Sequence, residues 1–213
     1  MQDTVHLYVF EGFVDWEPAF AIAGIRNPDF QRDPGRFDVK TVAARARGTM
    51  RSMGGIAVLP DMTLDELDPS QSCLLILPGG PHWDEDGWHR AAVRKAGDFL
   101  DAGVPVAAIC GATAGLARAG RLDATAHTSN ALAYLKGTGY GGAERYVDAP
   151  AVRDGGLITA GGMAPIEFAR EIFALLGVYE DETLEAWTQL YKTGKSEYFA
   201  RMARAAEEAA GGA

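Results

Sequence analysis

Short apolar runs alternate with longer segments of helical periodicity along most of the chain. Strands are predicted over residues 5–10, 37–42, 73–77, 104–109 and 157–160, where the apolar runs lie. Apolar strands separated by helices are typical of a mostly parallel sheet with helices on both faces. The pattern shows neither an internal repeat nor a low-complexity linker. The sequence therefore predicts an α/β fold, a single-domain three-layer sandwich.

Weaker signals predict the smaller elements. A helix is expected from about Pro18, since proline suits the first turn of a helix. The segment 49–59 contains Gly54-Gly55 and predicts a hairpin or a pair of short strands. Thr63 and Glu66 have the spacing of a capping box, which predicts a short helix. Two further short strands are predicted at 126–128 and 144–147.

The chain continues beyond this α/β pattern. Residues 1–177 form the predicted domain, and residues 178–213 form a predicted helical extension. Leu184, Trp187 and Tyr191 stand at helical spacing, and an Ala-rich helix is expected after Ser196. The extension is expected to pack on the same domain or on a dimer partner.

Composition narrows the function classes. Hydrophobic residues make up 47% and charged residues 23%, which is typical of globular proteins, and the net charge of -9 argues against a nucleic-acid binder. No apolar run is long enough to cross a bilayer, and the chain lacks a signal-peptide pattern, so a cytoplasmic protein without membrane partners is expected. Cys73 and Cys110 are expected to be reduced thiols. Two cysteines and four unclustered histidines do not predict a metal site, and no cofactor is expected.

Cys110 carries the strongest chemical signal. An apolar strand ends at Cys110, and Gly111 with other small residues opens the next helix. This pattern is typical of a nucleophile elbow, a tight turn that presents a side chain above the sheet edge. The N–H groups at the helix start favour a thiolate and an oxyanion, and Gly111 is one candidate oxyanion donor. The alternative is a buried cysteine that fills space between strand and helix.

A second glycine turn follows the strand at 73–77. Gly79 and Gly80 lie between two prolines there, and the N–H of Gly80 is a candidate second oxyanion donor. Because ligands bind at the carboxyl ends of parallel strands, two such turns together indicate a site. A plain tight turn remains the alternative.

Acid–base partners are less clearly marked. Asp15 and Glu17 stand just before the first helix, where carboxylates either tune a thiol or act only as helix caps. His127, on a short apolar strand, is either a base or a structural residue. His82 lies next to the Gly-Gly turn, and its role is open.

These motifs together resemble the ThiJ/PfpI superfamily. The resemblance rests on Leu77-Pro-Gly-Gly80, Ala108-Ile-Cys-Gly-Ala112, Asp15-Trp-Glu17 and Leu157-Ile-Thr-Ala-Gly-Gly162. It implies a flavodoxin-like, class I glutamine amidotransferase-like fold and a homodimer.

The resemblance also implies roles for single residues. An acidic residue hydrogen-bonds the reactive cysteine in such proteins, which implies Glu17 here, with Asp15 as the alternate. His127 matches a histidine that lies near the cysteine in several members.

Departures from the family patterns decide between activities. Protease-like members carry a histidine directly after the cysteine, where this chain has Gly111. Glutamine amidotransferases use a late histidine, and none follows His127. Both activities are therefore disfavoured.

Three functions remain. The first is a cysteine-dependent hydrolase or lyase that acts on a small reactive carbonyl compound, glyoxalase- or deglycase-like, with Cys110 as nucleophile, Glu17 tuning it and His127 assisting. The second is an isocyanide-hydratase-like enzyme, which would use Asp15. The third is a non-catalytic redox-sensing or stress-response protein in which Cys110 is oxidised.

Overall fold

A seven-stranded sheet forms the centre of the molecule, which is described here from a computed structural model of residues 3–45 and 48–211, with backbone alone for 209–211. The strands are β1 (Asp3–Tyr8), β2 (Phe37–Ala43), β3 (Met50–Arg51), β4 (Ala57–Val58), β5 (Met62–Thr63), β6 (Leu74–Leu77), β7 (Val106–Ile109), β8 (Ala151–Asp154) and β9 (Leu157–Ala160). The sheet order is β5-β2-β1-β6-β7-β9-β8, and β3 and β4 form a separate antiparallel hairpin. The predicted mostly parallel α/β sheet is confirmed.

Burial explains the parallel part of the sheet. Every residue of Leu74–Leu77 and Val106–Ile109 is buried, because helices cover both faces of these central strands. The exception is β8, which pairs antiparallel with β9 across Gly155 and Gly156. The sequence pattern did not predict β8, since this edge strand is half exposed and ends in Arg153 and Asp154.

Two groups of helices cover the sheet, and α6 and α7 follow them in the chain. The helices are α1 (Trp16–Arg26), α2 (Arg90–Asp101), α3 (Gly111–Arg118), α4 (Leu132–Lys136), α5 (Pro165–Leu176), α6 (Asp181–Thr193) and α7 (Ser196–Gly211). The first group consists of α1 and α5, which pack against each other, and the second of α2, α3 and α4. The chain leaves β1 toward β2 but leaves β6 in the opposite direction, so right-handed crossovers place the two groups on opposite faces.

Some of the smaller predictions were wrong. The capping-box hydrogen bonds between Thr63 and Glu66 are present, yet they close only a turn after β5. The segment 126–128 contributes one isolated bridge, between His127 and Tyr146, and Ala143–Arg145 is a 3₁₀ turn. These segments lie on the irregular connection between α3 and β8, where a hydrogen bond from Thr128 N–H to the Thr159 hydroxyl replaces a backbone ladder. The predicted hairpin at 49–59 is present as β3 and β4.

The last helices pack onto the α/β layers of the same chain. Trp187 of α6 stands edge-on to Phe20 of α1, with ring centroids 6.2 Å apart, and to Phe173 of α5 at 4.9 Å. Helix α7 packs on α6. The described helices include none that is both long and apolar enough to span a membrane.

Candidate active site at the carboxyl edge of the sheet

Cys110 sits in a strained backbone turn between β7 and α3. Its φ of 59° and ψ of -123° lie outside the regions that side-chain-bearing residues prefer. Three hydrogen bonds hold the turn: Cys110 N–H donates to Ala160 O at 2.9 Å, and the hydroxyl and N–H of Thr113 donate to Cys110 O at 2.6 Å and 3.2 Å. The turn therefore has the backbone of a nucleophile elbow.

The glycines after the cysteine let α3 approach its neighbours. A Cβ on Gly111 would lie 2.8 Å from Trp83 Cδ1, and one on Gly115 would lie 2.7 Å from Trp83 Cζ3. Trp83 is buried, and its indole N–H donates to Pro78 O at 3.1 Å. The turn after β6 and the helix after Cys110 are thus packed together through one tryptophan.

Glu17 is the carboxyl group that lies beside the cysteine. It belongs to the first turn of α1 and is only 1% exposed. Its Oε2 accepts the Gly79 N–H at 2.5 Å, and the Cys110 side chain is close enough to the same carboxyl group to act on its pKa. Among the sequence-predicted residues, the structure thus brings Cys110, Glu17 and Gly79 together.

Two glycines enclose this pair from opposite strand ends. A Cβ on Gly79 would lie 2.8 Å from Glu17 Oε2 and 3.0 Å from Cys110 Sγ. A Cβ on Gly162, after β9, would lie 2.9 Å from Cys110 Sγ and 3.1 Å from Glu17 Oε1. Both positions therefore need glycine for space.

Asn130 is a site residue that the sequence interpretation missed. Its Nδ2 donates to Cys110 Sγ at 3.3 Å, and its Oδ1 accepts the Gly162 N–H at 2.8 Å. The second bond fixes the amide orientation, so the sulfur faces the donor side. The sequence marks only the partner of Asn130: Gly161-Gly162 at the end of β9 repeats the Gly-Gly pattern at the end of β6.

Burial governs the electrostatics of the site. It raises the pKa of Glu17 to about 7, against the hydrogen bonds from Gly79 and Cys110. Burial, and after it the negative charge of Glu17, raises the pKa of Cys110 to about 11, while the Asn130 amide and the Gly111 N–H act in the opposite direction. The sequence predicts a lowered thiol pKa, because Cys110 stands at the start of a helix. The structure corrects this, because the helix start does not outweigh burial beside an ionised carboxyl.

Asp15 and His127 do not reach the sulfur. Asp15 Oδ2 accepts the Gly54 N–H at 2.7 Å, so this carboxyl group anchors the β3–β4 hairpin. The ring nitrogens of His127 contact Thr125 O at 2.7 Å and the Tyr140 hydroxyl at 3.1 Å. The expectation that His127 assists Cys110 is therefore corrected, since its buried ring is occupied by other partners.

The two candidate oxyanion donors, Gly80 and Gly111, lie at Cys110, whereas His82 lies at a different cavity. Gly80 lines the cleft at Cys110, with a φ of 151°. The N–H of Gly111, at the start of α3, acts to lower the pKa of Cys110. His82 instead points to Glu85 at 2.8 Å and stacks on Trp88, beside a separate cavity of about 160 Å³.

Cys73 lies outside the site. It precedes β6, at the opposite end of this strand from Gly79, and its thiol contacts Thr4 O at 3.3 Å. Both cysteines are free thiols. Within the described ranges, no group of three His, Cys, Asp or Glu side chains is arranged to hold a metal ion.

A cleft of about 490 Å³ opens above Cys110. Its lining comes from the start of α1, the β3–β4 hairpin, and the turns that end β6, β7 and β9. The lining residues are Val14, Trp16, Glu17, Met53, Gly80, Cys110, Asn130, Gly161, Gly162 and Met163. A half-buried cysteine, a buried acid and an amide donor that line one cleft can bind and attack a small electrophile.

Comparison with known proteins gives this arrangement a family. A Bacillus subtilis protein named Uncharacterized protease YoaZ is 42% identical over 198 residues, which cover 92% of this chain and 93% of that protein. The crystal structure of the ThiJ/PfpI family protein from Bacillus anthracis has a TM-score of 0.90 at 40% identity, covering 96% of this chain and 97% of that one. Deglycase PH1704 of Pyrococcus horikoshii is 31% identical over 127 residues, 56% of this chain and 70% of that protein. The model of the DJ-1/PfpI family matches residues 3–175, and the chain belongs to this family.

Proposed function

We propose that the protein is a cysteine-dependent enzyme that acts on small reactive carbonyl compounds, in the manner of a glyoxalase or deglycase. The observation that carries the proposal is that Cys110 and the buried carboxyl group of Glu17 lie side by side, between Gly79 and Gly162, in the lining of an open cleft. Similarity to proteins named deglycases supports the same direction.

The active form of the pair is a thiolate beside a protonated carboxyl group. The charge of Glu17 is the second cause that raises the pKa of Cys110, so this cause disappears when Glu17 is protonated. The carboxyl O–H then donates to the sulfur, together with Asn130 Nδ2. Because burial keeps the pKa of Glu17 near 7, the protonated carboxyl group is well populated at neutral pH.

A 2-oxoaldehyde fits this pair with balanced chemistry. The Cys110 sulfur adds to the aldehyde carbon, the π electrons move to oxygen, and the oxygen takes the proton of Glu17 to form a hemithioacetal. The Glu17 carboxylate then removes the proton from that carbon, the electron pair forms a C=C bond, and the neighbouring carbonyl oxygen takes up the hydroxyl proton of the hemithioacetal. When Glu17 returns its proton to the neighbouring carbon, the C=C electrons form that C–H bond and the first oxygen becomes a carbonyl, which leaves a 2-hydroxy thioester. Water hydrolyses the thioester to a 2-hydroxy acid and the free thiol. The N–H groups of Gly80 and Gly111 are the proposed donors to the developing oxyanion.

Other activities have less support. Isocyanide hydration through Asp15 is disfavoured, since that carboxyl group binds the hairpin. Proteolysis, named for the Bacillus subtilis relative, has less support because Gly111 stands where protease-like members carry a histidine directly after the cysteine. Oxidation of Cys110 in a redox-sensing role is the second candidate, because the sulfur faces an open cleft beside the Asn130 amide, a donor for added oxygen atoms.

Turnover of methylglyoxal to lactate tests the proposal. Cys110→Ser is expected to lower kcat/KM at least about a thousandfold, because it removes the nucleophile. Cys73→Ser is the matched control and is expected to keep activity, since that thiol lies at the other end of β6. Lactate formation by Cys110→Ser at the wild-type rate would overturn the proposal. No turnover across a panel of aldehydes, with fast peroxide oxidation of Cys110, would favour the redox-sensing role.

A further inference from the structure

The walls of the cleft at Cys110 are made of large apolar side chains that face solvent. Trp16 is 49% exposed, Met53 is 55% exposed and Met163 is 93% exposed, and all three line the cleft. Val14 completes the apolar lining on the inner side. Apolar surface of this kind at the mouth of a concave site favours a bound molecule that covers it.

Backbone and side-chain hydrogen bonds hold these walls in place. The Trp16 indole N–H donates to Gly162 O at 3.3 Å, which ties the start of α1 to the turn after β9. Met53 N–H donates to Phe13 O at 2.8 Å, so the hairpin is joined to the β1–α1 connection. Three elements that are far apart in the sequence therefore present one apolar rim above the sulfur.

The same cleft offers no positive charge among its described lining residues. Its one ionisable group besides Cys110 is Glu17, a buried carboxyl group. An anionic group that entered would lose water without gaining an ion pair. It would also lie near a carboxyl group in a protein of net charge -9.

We infer that the site selects uncharged aldehydes that carry an apolar aryl or alkyl substituent, with the carbonyl carbon at Cys110 and the substituent against the rim of Trp16, Met53 and Met163. The inference rests on the proposed function and names its substrate class. The rim holds the substituent through both the thiol addition and the proton transfer by Glu17, so its contribution appears in kcat/KM.

Two substrates that differ in a single charge provide the test. Phenylglyoxal and para-carboxyphenylglyoxal have the same reacting group, and the wild-type kcat/KM is expected to be at least about tenfold higher for phenylglyoxal. Met163→Lys places a cation on the rim and is expected to narrow this ratio at least about fivefold, because an exposed cation attracts the carboxylate. Met163→Leu keeps an apolar side chain and is expected to retain the wild-type ratio.

The outcomes separate the two proposals. A wild-type protein that converts none of these aldehydes contradicts the proposed function and the substrate class with it. Turnover of both phenylglyoxals at equal kcat/KM, or a ratio that Met163→Lys leaves unchanged, contradicts only the substrate class. A change in sedimentation mass in Met163→Lys would assign the exposed methionine to a contact between chains and would also overturn the inference.

A measurement without turnover checks the same cleft. Peptide-resolved alkylation of Cys110 compares neutral iodoacetamide with anionic iodoacetate. The ratio of the two rates is expected to exceed the ratio for free cysteine at least about threefold, and Met163→Lys is expected to lower it. A ratio equal to that of free cysteine would contradict the charge selection.

Discussion

Glu17 is a carboxyl group held where a charge is costly. It is buried beside a thiol, and one backbone N–H, that of Gly79, donates to it. Two negative charges cannot be accommodated together here, so the protonation of Glu17 and of Cys110 is coupled. The chemistry of the site therefore depends on one proton shared between two residues.

The free energy of unfolding is expected to depend on pH through the protonation of Glu17. The pKa of Glu17 is raised from 4.5 to about 7, so between these values the folded chain binds the proton more tightly than the unfolded chain. Wild-type stability is therefore lost as pH rises through this window. Glu17→Gln stays neutral and still accepts the Gly79 N–H, so it is expected to gain about 2 kcal/mol over wild type between about pH 5 and about pH 8. Urea unfolding at a series of pH values measures this difference.

Asp15→Asn is the matched control for that experiment. Its carboxyl group accepts the Gly54 N–H at 2.7 Å on the hairpin, and Asp15 is not among the lining residues of the cleft. The variant is expected to leave the alkylation profile of Cys110 unchanged, while Glu17→Gln alters it and loses turnover. If Asp15→Asn lost turnover while Glu17→Gln kept the wild-type turnover, the wrong carboxyl group would have been assigned.

Asn130 affects the pKa of the Cys110 thiol through one side-chain hydrogen bond. In the wild type, the Asn130 Nδ2 hydrogen bond at 3.3 Å lowers the pKa of the Cys110 thiol. Asn130→Ala removes this bond and is therefore expected to raise that pKa. Alkylation of Cys110 at neutral pH is expected to slow about three- to tenfold, since such a hydrogen bond contributes about 1 kcal/mol. Asn130→Asp keeps the acceptor for Gly162 but adds a charge, so a larger effect is expected. The exposed Asn27→Ala serves as control, and equal profiles for all variants would contradict the assignment.

The residue scale also shows where sequence interpretation ends. Cys110, Glu17 and Gly79 each stand next to a clear strand end or helix start, so their convergence follows from the topology of a parallel sheet. His127 and Asn130 lie on one irregular connection, three residues apart. Which of them faces the sulfur depends on the path of that connection, and no periodicity encodes it.

At the scale of elements, the strand ends build the site. The turns after β6, β7 and β9 bring Gly79, Cys110 and Gly162 to one edge, as apolar runs ending in glycine predict. Edge elements are less predictable, because their side chains face both solvent and protein. The half-exposed strand β8 was missed for this reason, and the capping box at Thr63 closes a turn in place of the predicted helix.

Gly162→Ala tests how closely these turns pack around Cys110 and Glu17. The added Cβ would lie 2.9 Å from Cys110 Sγ and 3.0 Å from Cys110 Cβ, so the thiol has to move. We expect a loss of about 1 to 3 kcal/mol in unfolding free energy and a slower alkylation of Cys110. Gly156→Ala is the control, since its Cβ would meet Pro105 Cα only at 3.7 Å. A Gly162→Ala variant with wild-type stability and thiol reactivity would contradict this account of the turn.

At the scale of the whole molecule, the sequence separated residues 178–213 from the α/β domain but left open what they pack against. Helix α6 contacts α1 and α5 of the same chain through Trp187. The homodimer implied by the family resemblance stays a prediction, which sedimentation of the full chain will test. What the extension contributes to folding is a separate question that a substitution in α6 answers.

Trp187→Ala is expected to destabilise the entire chain. Trp187 is 5% exposed and packs on Phe173 with a centroid distance of 4.9 Å, so its removal leaves a large cavity between α6 and the helix layer on the sheet. We expect a loss of about 3 to 5 kcal/mol in unfolding free energy, measured by circular dichroism in urea. Trp88→Ala is the control, because Trp88 is 64% exposed and its loss should cost less than about 0.5 kcal/mol. A single transition that shifts to lower urea without a change in slope would show that α6 unfolds together with the sheet. A separate early transition for Trp187→Ala would instead make the extension an independent unit.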